Sequence, residues 1–242
     1  AQEICVTTAM GVCDFISAMD TQRVPEWNCW YHILNCGFPL KVSGETDFPC
    51  ISGSRVGQGR VYVQLGKTDA VDYAAWCKGI QMGRSYVSDG YAHALDFQVN
   101  GTSPGFGDVK LDKPGTVKVT AKVAFAKDVA LGTAPGVPPL APSDTRKLEL
   151  VVNGKVVAAK EVPADDRPHD VSFDVAVDAS SWVALRHYPQ MHTNPVNVLV
   201  GGKPIRASRD SARWCVGVIE QLWKVRGAGI KAEERGEAEK TF

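Results

Sequence analysis

Beyond about residue 94, apolar and polar positions alternate in short runs: ALDFQVNG, GTVKVTAKVAF, RKLELVVNG, KVVAAKEV, HDVSFDVAV, SWVALRHY and VNVLVGG. Gly, Asn and Pro separate them. An apolar residue at every second position suits a strand with one buried face, because successive side chains point to opposite sides. Asn153-Gly154 lies between two of the runs. That pair tolerates the positive φ angles of a type I′ hairpin turn. Runs of this length at roughly 10-residue spacing predict an immunoglobulin-like β-sandwich over residues 93–205. The proline-rich insert 127–144 reads as an exposed loop.

Residues 1–92 follow a different pattern. EICVTTAMG predicts a short helix or turn, and VCDFISAMD a buried strand. RVPEWNCWYHILNCG places Trp27, Trp30, Tyr31 and Leu34 at helical spacing, with Pro25 early and Gly37 just past the end. FPLKVSG and RVYVQL predict strands. TDAVDYAAWCKGIQMG predicts a helix capped by Thr68 or Asp69 and closed by Gly83. Strands alternating with helices predict βα units of a parallel sheet or barrel. Over residues 206–242, RWCVGVIEQLWKV predicts an amphipathic helix and KAEERGEAEK a charged, solvated tail.

Composition narrows the partners more than the fold. The 242 residues carry 27 basic and 27 acidic side chains. A net charge near zero gives no electrostatic reason to expect nucleic acid or an anionic membrane. No apolar run approaches the roughly 18 residues of a membrane span. The N-terminus lacks the basic region and apolar core of a signal peptide. Patterned sequence starts at once, so the chain reads as beginning inside a domain. Nothing selects a cellular compartment. Seven cysteines include no C-x-x-C pair, which argues against a zinc ribbon. Their apolar surroundings favour reduced, buried thiols over a disulfide framework.

Candidate chemistry starts at S-G-E-T-D, residues 43–47. A carboxylate on Asp47, straight after a predicted strand, stands where α/β barrels gather metals and ligands. It could hold a cation through oxygen, or form an ordinary Asx turn. The five histidines form no H-x-H or H-E-x-x-H. His32 reads as packing on the Trp-rich helix. His93 follows a turn and is free to face a site; His192 falls in a loop of the sandwich. G-x-S-x-G is absent. RVGQGR matches neither G-x-G-x-x-G nor a P-loop, which argues against nucleotide binding.

WYHILNCGFPLKVSGETDFPC, RVGQGRVYVQL, GRSYVSDGYAHALDFQVNG and SWVALRHYPQMHTNPVNVLVGGKPIRASRDSARWC resemble the carboxyl-terminal part of CehA/McbA family metallohydrolases, PHP-type proteins related to carbaryl hydrolase. The resemblance implies the end of a PHP-type (β/α) barrel over 1–92, then the β-sandwich and the C-terminal helix. It implies hydrolysis of an ester, amide, carbamate or phosphoester of a small molecule by metal-activated water. The metal in the full-length family would be Zn, Mn or Fe; this chain alone need hold none. Asp47 matches the family's strand-end Gly-Thr-Asp motif and carries over as a metal ligand. Phe48-Pro49 stand where many PHP proteins place a histidine, and the opening H-x-H and middle Glu and His ligands have no counterpart here. His93 and Arg60 become candidate contacts to ligands or substrate. An incomplete barrel also implies an exposed strand edge, hence a dimer or a companion chain. The alternative is a non-catalytic β-sandwich module that binds carbohydrate or a protein partner.

Overall fold

The computed structural model describes residues 3–48, 56–129 and 140–242. Helix α1 (Ile4–Ala9) leads into strand β1 (Phe15–Ser17), helix α2 (Arg23–Asn35) and strand β2 (Lys41–Ser43). Strand β3 (Arg60–Val63), helix α3 (Tyr73–Met82) and strand β4 (Ser85–Ser88) follow. The long strands are β5 (Ala92–Val99), β7 (Gly115–Phe125), β8 (Thr145–Val152), β9 (Lys155–Pro163), β10 (Pro168–Val177) and β11 (Ser181–His187). Between and after them come β6 (Val109–Leu111), β12 (Met191–Thr193) and β13 (Val196–Val200). Helices α4 (Arg209–Arg226) and α5 (Ala232–Thr241) close the chain. Most of the proline-rich insert, and Cys50, lie outside the described residues.

All seven alternating runs form strands. Asn153 and Gly154 both take positive φ, 52° and 83°, and turn β8 back onto β9. A three-stranded sheet, β10-β7-β5, faces an eight-stranded one. Val117, Val119, Val123 and Phe125 of β7 meet Leu148, Leu150, Val183 and Leu185 between the sheets. This is a mostly antiparallel sandwich, with β13 and β6 its parallel pair.

The other face of the large sheet is also covered. Trp182 and Ala184 of β11 join Trp27, Trp30 and Ile33 of α2, together with Ile16 and Val42, in a second core. Alternation along SWVALRH therefore buries both parities, one toward the small sheet and one toward the helices. Trp182 belongs to the helix side.

Among the described residues the βα region is one β1-α2-β2 unit with a parallel pair, Ile16 opposite Val42, and no closed barrel. β3 does not extend it. It pairs antiparallel with β4, which pairs with β12, so both belong to the large sheet. Nor does β2 leave an open edge: Val42 N–H donates to Asn194 Oδ1 and Val42 C=O accepts from Asn194 Nδ2. Asp72, rather than Thr68 or Asp69, caps α3 by accepting from Ala74 N–H at 2.9 Å. The charged tail forms α5, which buries no residue.

Candidate functional site

β1 and β2 run in the same direction, so both release their loops at one end. β1 leads to Asp20, whose carboxylate accepts from Ser17 Oγ at 3.0 Å. β2 leads to Glu45, whose Oε1 accepts from Ser43 Oγ. Glu45 Oε2 is buried and has no hydrogen-bond partner among the described residues. Asp47 follows on the exposed rim with φ 54°, the left-handed region that Asp tolerates better than most residues. The predicted ligand thus sits at the carboxyl end of a parallel strand. It does not cap a helix.

A second segment is laced to this exit loop. Thr46 Oγ1 accepts from Gly57 N–H at 3.0 Å and donates to Gly59 C=O at 3.2 Å. Gly59 packs so tightly that a Cβ there would lie 2.0 Å from Glu45 C=O. Arg23, buried at the start of α2, holds the same segment from beneath by donating to Gln58 C=O at 2.9 Å and Pro189 C=O at 2.5 Å. Gln58 is itself buried, and neither polar atom of its side chain has a partner among the described residues.

Arg60 continues from there. Its Nε donates to Gly57 C=O at 2.6 Å and its Nη1 to Tyr62 Oη at 3.3 Å. The guanidinium lies over Gly90, where φ is 88° and a Cβ would come within 2.5 Å of Nη1. The positive φ favours glycine there. Tyr62 stacks on Tyr86 across the β3-β4 pair, centroids 5.0 Å apart. His93 meets Tyr62 edge-on and shares a 2.8 Å hydrogen bond between Nδ1 and Tyr86 Oη. Burial, and then the Arg60 charge, lower the His93 pKa, with Asp89 opposing. Asp89 is buried, its oxygens taken by Tyr91 N–H and Gln190 Nε2. Arg60 and His93, singled out separately in the sequence and lying in different sheets, both contact Tyr62. Beside them a cleft of about 300 Å³ is lined by Tyr62, Gln64, Arg84, Tyr86, Asp96 and Phe97.

The other histidines are structural. His32 stacks on Trp214 and bonds Ser211 Oγ. His192, expected in a loop, lies in β12 and is fully buried. Its Nδ1 bonds Thr193 C=O at 2.7 Å, which makes that nitrogen the N–H and Nε2 the acceptor from Tyr31 Oη at 2.5 Å. Arg186 Nη1 donates to Tyr31 Oη and its Nε to Glu149. Burial drives the His192 pKa down to about 3 and pushes Tyr31 up to about 12.

Among the described residues, no group of three or more His, Cys, Asp and Glu side chains could hold a metal. No helix among them is long and apolar enough to cross a membrane. No family model matches the chain, and no curated protein does. Among solved structures, the CARDB domain of a Pyrococcus furiosus protein, solved in complex with di-metal ions, is similar over 46% of this chain and 96% of that one. The identity is 10% and the TM-score 0.26. A likeness that slight bears on neither fold nor function.

Proposed function

We propose that the chain is the carboxyl-terminal part of a metal-dependent hydrolase of the CehA/McbA, PHP type, acting on an ester, amide, carbamate or phosphoester. The observation that supports this reading is the carboxyl end of the β1-α2-β2 unit. Asp20, Glu45 and Asp47 follow its two strands there, the end at which α/β folds bind their ligands. Glu45 Oε2, buried and without a partner, is an oxygen whose desolvation is offset by nothing in the described residues.

The described residues do not make a complete metal site. Asp47 and Glu45 offer carboxylate oxygens; the remaining ligands have to come from elsewhere. Arg60 is held by Gly57 and Tyr62 and carries a fixed positive charge beside His93, suited to contact an anionic or polar substrate group. His93, its pKa lowered by burial, is neutral near pH 7 and free to accept a proton.

The test uses a protein carrying this chain with its upstream segment. Metal content is measured after mild purification, and hydrolysis of p-nitrophenyl esters and phosphodiesters with and without a chelator. Bound metal with chelator-sensitive hydrolysis supports the reading. Metal-free, inert protein overturns it.

The cleft beside Tyr62 and Tyr86 favours a second reading, a binding module for carbohydrate. Flat aromatic walls with Arg84, Asp96 and Gln64 at the edge suit a sugar ring. Titration calorimetry with a panel of sugars, and loss of binding in Tyr62→Ala, tests it. No heat with any sugar removes this reading.

A further inference from the structure

Lys41 opens β2, at the amino end of the parallel pair and so at the opposite end from Asp20, Glu45 and Asp47. Alternation sets its direction. Val42 beside it enters the helix-side core, so Lys41 turns the other way, onto the end of α3. There α3 closes on Gly83, with φ 76°, and a Cβ on that glycine would lie 2.9 Å from Lys41 Cγ. The lysine stem crosses the helix end where the glycine leaves room for it.

Both residues line a cleft of about 240 Å³, with Leu34, Phe38, Pro39, Met82 and Ile205 as its apolar walls. Phe38 and Met82 are exposed; Lys41 is half-buried. Among the described residues the Lys41 ammonium forms neither an ion pair nor a hydrogen bond. The neighbouring acids are engaged by amides. Asp14 accepts from Gln81 Nε2 at 3.3 Å, and Asp108, on the cleft wall, accepts from Asn197 Nδ2 at 3.1 Å. Burial lowers the Lys41 pKa, with Asp14 opposing. A second cation, Arg206, lies against Gly37 on the same wall and donates to the carbonyls of Cys36 at 2.6 Å and Ile205 at 3.1 Å.

We infer that this cleft binds a small apolar monocarboxylate, its carboxylate on Lys41 and its aromatic or branched body against Phe38 and Met82. A half-buried cation among apolar walls is stabilised by a counter-ion that brings an apolar body with it. The carboxylate gains a charge-assisted hydrogen bond from the ammonium, and the body gains by leaving water. A neutral ligand of the same shape keeps the second gain and forgoes the first. The inference does not depend on the hydrolase or the sugar reading, since neither uses Lys41.

Benzoate and isovalerate are titrated into the protein isotope-labelled at its methionine methyl groups. Met82 lines the cleft, Met19 and Met191 are buried in the two cores, and Met10 is exposed just past α1. The expected result is a saturable shift of the Met82 signal alone, with a Kd of about 1 mM or tighter. Benzamide, which has the shape of benzoate without its charge, should bind about tenfold or more weakly. Lys41→Met keeps an apolar stem across Gly83 and should lose benzoate affinity by about the same factor. The wild-type comparison of benzoate with benzamide decides even where the variant folds poorly. A Met82 signal unmoved by either acid up to about 20 mM, equal binding of benzamide, or equal affinity in Lys41→Met overturns the proposal.

Discussion

The two faces of the large sheet are packed by different means. Toward β5, β7 and β10 the core is mainly aliphatic, Val117, Val119, Leu148, Leu150 and Leu185 with Phe97, Phe125 and Phe173 among them, and needs no hydrogen bond between these side chains. Toward α2 the core is aromatic and threaded by directed bonds. Trp182 Nε1 donates to Asn35 Oδ1 at 2.8 Å, Trp30 Nε1 to Leu40 C=O at 2.8 Å, and His192 closes on Tyr31. The first face needs volume and alternation; the second needs particular partners in particular places. Candidate chemistry follows the second face, at the end where β1, β2 and the Gly57–Arg60 segment converge.

That contrast ranks the expected effects. Trp182→Ala empties the junction of β11 and α2 and should cost about 3–5 kcal/mol in a denaturant titration. A loss below about 1 kcal/mol would mean that Trp182 is not the keystone of the helix face.

Acid should attack the same face selectively. His192 takes up a proton near pH 6.5 when unfolded but only near 3 when folded. Its folded pKa is depressed, so the unfolded state binds the extra proton between those values. Stability is full above about pH 6.5 and falls as pH drops toward 3, by about 2 kcal/mol between pH 7 and 5. Histidines 32, 93 and 187 are lowered in the same sense and add to it. His192→Gln should flatten the profile; an unchanged slope would refute the assignment.

Conservative swaps should separate the two faces further. Trp182→Phe keeps apolar bulk but leaves Asn35 Oδ1 unpaired, at a cost of about 1–3 kcal/mol. Leu148→Met on the sandwich face, similar in volume, should stay under about 1.5 kcal/mol. Reversal of that order in paired chemical melts would dissolve the distinction. The smallest effect is expected at Tyr86→Phe, which removes the bond to His93 Nδ1 and costs about 0.5–1.5 kcal/mol. It should also shift the His93 imidazole resonances in an NMR titration. An unmoved His93 signal would count against the pair.

The sequence pattern carried the sandwich well, because each long strand needs only alternation and a turn, as β8, Asn153-Gly154 and β9 show. It also located α2, the strand before Asp47 and the C-terminal helix. It missed what depends on pairing at a distance. β6 and β12 are three residues each, too short for a period to register. β3 alternates as any strand does, and nothing local says that β4 and β12 will claim it for the large sheet. Trp182 was legible as buried, but its side of the sheet was not, since SWVALRH is apolar on both parities. Arg60 and His93 were legible as candidates, yet their proximity arises from the register of β3 on β4 and from His93 of β5 packing on Tyr62 and Tyr86.

The account rests most heavily on Asp47 as a ligand at the carboxyl end of β2. The direct measurement is calorimetric titration of Zn²⁺ and Mn²⁺ into the protein carrying this chain with its upstream segment, as wild type and as Asp47→Asn. Asn keeps the size and the turn but removes the charge, so metal affinity should fall by about tenfold or more while the unfolding midpoint stays in place. Equal affinity in the two proteins would contradict the account and leave Asp47 as a turn residue on an exposed rim.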